Sequence, residues 1–347
     1  MQNKIKNMLL KWKDKLMVYK NQLQIEQKFQ KAKGLFRNID SWPKAVAVVL
    51  FGLFLLYYPL GALISENIDT TTSYDIVKNG QKSATIDIMS FLIKREVYEK
   101  SWTPALPFIF PASLLDNMPA FQLGEISAMR ETAKALAAMQ NKDLSIDGET
   151  PLDEAQKLLQ YSGTIWMFSP TNKLLPAPSS NSQYRKAKKQ LDKYNNVLQN
   201  GRAFFAYSKK DLTGVLKVLV ADVSKSSKRI ENHVREYSGT WVDNEADDVF
   251  YFQKGKMYAY YLLLKAMSYD FKETLLQNEL YALWTALLRT VEDAVLLDPR
   301  VVRNAKPDTI MAANHLIAIN YYTIKSVVIM QRMLEILSEQ KNNGDAK

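Results

Sequence analysis

At 347 residues and 47% hydrophobic composition, the chain can bury a sizeable core, which excludes disorder over its whole length. It has no cysteine, so disulfides, thiolate metal sites and thiol nucleophiles are excluded as well. The formal charge of +10 is polarised: residues 1–44 hold 11 Lys and Arg against 3 Asp and Glu, leaving 35 against 33 for everything after them, so the long C-terminal part is near neutral and no nucleic-acid partner is expected.

The first element in chain order is a stripe of Ile5, Leu9, Trp12, Leu16, Tyr19 and Leu23 at alternating steps of four and three. Lys4, Lys6, Lys11, Lys13, Lys15 and Lys20 lie between these positions. The spacing predicts a basic amphipathic helix in residues 1–44, suited to the surface of a bilayer rich in anionic lipids. A self-associating coiled coil explains the same pattern, as does a merely solvated basic flank.

Ala45 to Ile64 follows as a charge-free run, AVAVVLFGLFLLYYPLGALI, about 30 Å long as a helix and therefore matched to a bilayer core. Trp42 and Lys44 precede it and Tyr57 and Tyr58 lie near its far end, as residues suited to a membrane interface. The basic segment before it is too long for a cleaved signal peptide. An uncleaved signal anchor is expected, with the N-terminus in the cytoplasm by the positive-inside rule and the remainder outside, in the periplasm of a Gram-negative cell.

Residues 65–82 are polar and turn-rich and are expected to form a tether. Helical periods then dominate an all-α domain over residues 83–340, with helices expected near 83–99, 121–140, 151–161, 182–200, 209–237 with a break, 247–271, 273–297 and 307–340. Residues 341–347 are expected to be a disordered tail. One stretch resists the helical pattern, SWTPALPFIFPASLLDNMPAFQLG from Ser101 to Gly124, where prolines predict an extended strap lying on something apolar or forming part of a groove. Tyr161-Ser162-Gly163-Thr164 and Tyr237-Ser238-Gly239-Thr240 repeat one another, and their glycines are expected to cap helix ends.

The Ser101–Gly124 stretch, together with KQLDKYNNVLQNG, DDVFYFQKGKMYAYYLLLKAMSYDF and NHLIAINYYTIK, resembles a proteobacterial inner-membrane family catalogued as domain of unknown function 2333. The likeness covers roughly residues 40 to 340, and Trp102-Thr103-Pro104 with Leu114 to Pro119 is its most distinctive part. The resemblance implies this topology and a helical outer domain. It brings no catalytic residues with it.

The chemistry available in the sequence is sparse. His233 and His315 are the two imidazoles, neither with a partner at ligand spacing; His233 is expected at the surface and His315 in a core or groove. Asp243, Glu245, Asp247 and Asp248 are dense enough to suggest Ca²⁺, yet they lack the EF-hand glycine and equally suit a helix N-terminus. No H-E-x-x-H, phosphate loop or nucleophile elbow occurs, and no cofactor is implied. The candidate binding residues are Trp102, Phe108, Phe110, Asp116, Asn117 and His315. The expected function is that of a non-enzymatic membrane-anchored domain that binds or scaffolds an envelope protein or self-associates. A lipid- or peptide-binding groove is the alternative, and a cell-wall hydrolase a more distant one.

Overall fold

The computed structural model describes residues 42–65, 68–76, 80–107, 110, 117–140, 149–167, 177–240, 243–309 and 312–344. The chain divides into two compact units, Met1–Leu60 and Gly61–Lys347. Among the described residues the fold is all-helical, with one isolated bridge between Asn304 and Asn314 and no strand.

Helix α1, Trp42–Ser65, contains the charge-free run. Its side chains are described over residues 45–57 only, and among the described residues no helix is long and apolar enough to cross a membrane. Of the expected interface residues, Tyr57 is half-exposed, while the side chains of Trp42, Lys44 and Tyr58 lie outside the described ones, as does the whole basic stripe of residues 1–41.

In the second unit, α2 (Ala84–Lys94) runs into a π turn over Arg95–Glu99, and α3 (Asn117–Met139), α4 (Pro151–Leu159), α5 (Ser180–Gln199) and α6 (Lys209–Tyr237) follow. Then come α7 (Ala246–Asp270), the short α8 (Lys272–Gln277), α9 (Tyr281–Val295) and α10 (His315–Gly344). Local chemistry sets several of these starts. Thr150 and Ser208 each accept a bond from the third backbone N–H beyond them, and Asp153 and Asp211 answer to the cap N–H, completing two capping boxes. At α2 the buried Asp270 carboxylate accepts from Ser83 Oγ, the Ala84 and Thr85 N–H groups and Thr85 Oγ1, all within 3.0 Å, so the end of α7 caps the start of α2.

Helix α7 is the central element, packed by α2, α3, α9 and α10. It buries residues on every side, from Phe250 and Tyr258 to Leu262, Leu263 and Met267, as a helix enclosed by others must. Its tightest neighbour is α3, and two glycines explain why: a Cβ on Gly124 would lie 2.0 Å from the Phe252 carbonyl oxygen, and one on Gly255 would lie 2.0 Å from that of Phe121. The two backbones therefore touch at this crossing.

Several boundaries differ from the expected ones. Helix α6 runs unbroken through Gly214, where a Cβ would meet nothing, so that glycine faces open space and interrupts no packing. The expected helix over 273–297 is two, because Glu279 takes a left-handed turn at φ 56° between α8 and α9. The last helix begins at His315 and not near 307, since Asn304 and Asn314 pair in a bridge just ahead of it; it continues to Gly344, past the expected end at 340. Within the proline-rich stretch, α3 already starts at Asn117, so Pro119 sits in its first turn, where its missing N–H costs nothing.

Candidate functional site

The π turn of α2 carries Arg95 and Glu96 into the interior, closed by the bond from Lys100 N–H to the Arg95 carbonyl. Arg95 donates to Glu96 Oε1 at 2.6 Å, to Glu125 Oε1 of α3 at 2.6 Å and to the Tyr258 hydroxyl of α7 at 2.5 Å. Its guanidinium also lies 4.9 Å from the centre of the Tyr258 ring. Gln122 continues the network, donating to Glu96 Oε2 and the Ser101 carbonyl while its own oxygen accepts from the Thr103 N–H and hydroxyl. All these side chains are buried, and Glu125 Oε2 has no hydrogen-bond partner among the described residues.

Burial opposes the charge on Arg95, but Glu125 and Glu96 outweigh it and hold the guanidinium firmly protonated. At Glu125 the balance goes the other way. Burial, reinforced by the Glu96 charge, prevails over Arg95 and Lys100 and holds the carboxyl well above its ordinary range. Arg95 and Lys100 thus face the carboxyl groups of Glu96, Asp69 and Glu125 across this network.

A second polar array fixes the start of α10. His233 Nε2 lies 3.0 Å from Asp243 Oδ2, Asn304 Nδ2 donates to the same oxygen at 2.8 Å, and Asn314 Nδ2 donates to Asn304 Oδ1 at 2.8 Å. Asn314 Oδ1 in turn accepts from the Ile317 N–H in the first turn of α10. His233 is thus buried and paired, not a surface residue; its charged sequence neighbours concealed a partner ten positions along the chain. A cleft of about 560 Å³ opens beside Asp243, lined also by Thr240, Arg303, Asn304, Lys306 and Thr309. Among the described residues no three metal-ligating side chains converge, so the acidic run beginning at Asp243 forms no cation cluster.

The third feature is a surface. Ile317, Tyr321, Ile324 and Val328 of α10 are 40–59% exposed and recur at steps of four, three and four, so they form one apolar seam. Alongside it a groove of about 340 Å³ runs between α10 and α6, lined by Lys228, Glu231, Arg235 and Ile324 among others. Lys325 is exposed on the same helix, its ammonium 6.0 Å from the centre of the Tyr321 ring.

The residues singled out from the sequence do not come together as one site. Trp102 is a core residue, stacked edge-on to Tyr184 at 5.0 Å with its indole N–H on the Gly163 carbonyl at 2.7 Å. Gly163 therefore serves close packing and not the helix capping expected of it: a Cβ there would meet Leu123 at 2.3 Å and Trp102 at 3.3 Å. Phe110 is 39% exposed, Asn117 opens α3, and Phe108 and Asp116 lie outside the described residues. His315 opens α10, where its Nδ1 accepts from the Arg303 N–H at 2.9 Å; burial and the Arg303 charge lower its basicity. Arg95, the His233–Asp243 pair and the α10 seam went unrecognised in the sequence, and only the seam had a readable signal, its heptad spacing.

A family model described as "Uncharacterized protein conserved in bacteria (DUF2333)" matches the chain over residues 107–238 and 208–339. No curated protein matches the chain. No solved structure does either.

Proposed function

This chain belongs to the bacterial family DUF2333, and on that premise we propose that it is a non-enzymatic, single-pass inner-membrane protein whose helical domain docks a protein of the cell envelope. The observation that carries the docking reading is the α10 seam. Four large apolar side chains on one exposed face are unusual for a surface that meets only water. Lys325 on the helix, with Lys228 and Arg235 in the groove beside Ile324, supplies a mainly cationic rim, broken by Glu231. Such a face is complementary to an amphipathic helix with an apolar stripe and acidic flanks.

The anchoring reading is supported by α1. Val48, Val49, Leu50, Phe51, Leu53, Phe54, Leu55 and Leu56 are all 43–62% exposed, so no single face of the helix is the apolar one. A helix apolar all round needs an apolar environment. The lysine-rich residues 1–44 and the near-neutral remainder favour a cytoplasmic N-terminus and an external domain. Anionic lipid against residues 1–44 belongs to the same proposal.

A photo-activated cross-linking residue at Tyr321 tests the docking face in cells. One discrete adduct is expected there, absent when the probe replaces the exposed Glu339 farther along α10 and lost when Ile324→Glu and Val328→Glu are added. Adducts that are equally diffuse from both positions would remove the seam as a docking face.

A further inference from the structure

Residues 68–76, the stretch between α1 and α2, are seated on the helical domain without forming helix or strand. The manner of their seating is specific. Tyr258 OH donates to the Thr71 carbonyl at 3.0 Å, and Lys265 Nζ donates to the carbonyls of Thr72 at 3.2 Å and Tyr74 at 2.9 Å. Three contacts thus read the main chain, with side chains of α7 as donors. Two further contacts read side chains: Arg95 approaches Asp69 at 3.7 Å, and the Tyr74 ring packs edge-on against Phe91 of α2 at 4.8 Å. Ile76 closes the seat as the one fully buried residue of the segment.

The segment also shapes itself. Asp69 accepts from the Thr71 N–H at 2.9 Å and from the Tyr74 hydroxyl at 3.0 Å, folding the stretch into an arch before any contact with the domain is counted. Burial would raise the Asp69 carboxyl, but these bonds and Arg95 prevail and hold it at about 2, so the arch keeps its charge under all ordinary conditions. A self-organised segment has already met part of the ordering cost of binding. At the same time Thr71, Ser73 and Asp75 are exposed and, among the described residues, no backbone–backbone bond joins the segment to the helices, features of an element that opens at low free energy.

We propose that the trough formed by Phe91, Arg95, Tyr258 and Lys265 is a peptide-binding groove, filled in this structure by the chain's own residues 68–76. It accepts from another protein a segment that folds into the same arch, with an acidic residue five positions ahead of an aromatic one. Recognition is general along the main chain, through Tyr258 and Lys265, and selective at two points, through Arg95 and Phe91. Residues 68–76 act as a built-in competitor whose tethering gives it an effective concentration in the millimolar range, so an outside peptide wins only by fitting better or by arriving when the segment is displaced. This inference is independent of the α10 seam and of the membrane anchor.

The test uses the full-length protein in mild detergent and a fluorescent peptide of residues 67–77, read by anisotropy. Asp69→Asn with Tyr74→Ala in the protein weakens the resident segment, and a second variant replaces residues 68–76 with a Gly-Ser linker of equal length. Both are expected to bind the peptide at least about tenfold more tightly than the native chain, which is a shift of roughly 1.4 kcal/mol. Adding Lys265→Met should reverse most of that gain, and a scrambled peptide should not bind. Equal binding of native and scrambled peptides, or none by a folded variant, would overturn the proposal. So would loss of the fold in both variants, because residues 68–76 would then be part of the core.

Discussion

Gly255→Ala is expected to destabilise the helical domain by about 3 kcal/mol or to prevent its folding, with Gly124→Ala close behind. Ordinarily alanine stabilises a helix interior relative to glycine by roughly 1 kcal/mol. Here the sign reverses, because the added methyl would sit 2.0 Å from a carbonyl oxygen of the facing helix, and a backbone atom cannot rotate away as a side chain can. Relief requires α3 and α7 to separate along the most extensive helix pairing in the domain. Gly214→Ala on α6, where the Cβ would meet nothing, is the control and should be neutral or slightly stabilising. Urea unfolding followed by circular dichroism separates the two classes; equal behaviour of Gly255→Ala and Gly214→Ala would refute the close-crossing account.

Arg95→Met is expected to cost about 3–5 kcal/mol near neutral pH, since it leaves Glu96 facing the interior with only the more distant Lys100 as cation and Glu125 without its only donor among the described residues. Glu125→Gln should be far milder, because the amide keeps an oxygen for Arg95 and carries no charge to bury. The two variants should also differ in pH dependence. The Glu125 carboxyl has its affinity for the proton raised by folding, so its contribution is fully present below its ordinary value of 4.5 and is lost as pH rises toward the folded value. The native protein should therefore lose stability relative to Glu125→Gln as pH rises from that point, while the cost of Arg95→Met grows in the same direction as more carboxylate charge needs a partner. Melting curves at pH 4.5 and 7.5 read both effects. A Glu125→Gln variant as damaged as Arg95→Met at pH 7.5 would show that Glu125 is ionised in its pair.

The contrast between these residues and the rest of the chain explains what the sequence could convey. Helix existence was legible wherever an apolar stripe or a capping box marked it, as at Thr150 and Ser208, and boundaries came within a few residues there. Boundaries failed where long-range contacts decide: Glu279 turns the chain between α8 and α9, and Asn304 with Asn314 delays the start of α10. The Arg95 network was illegible because its members come from residues 69, 95, 96, 122, 125 and 258, with no local spacing to announce them. Gly124 and Gly255 likewise gave no sign that each lies against the other's helix. Trp102 stood out as distinctive, but its burial against Tyr184 shows that the distinction reflects packing.

The proposal that a helical docking domain stands outside the cytoplasm on a membrane anchor is tested most directly by the compartment of the C-terminus. Alkaline phosphatase and a fluorescent protein, each fused after Lys347 of the full chain, report opposite sides of the inner membrane. Active phosphatase with a dark fluorescent fusion is the predicted result. A bright fluorescent fusion with inactive phosphatase would place the domain in the cytoplasm and contradict the account.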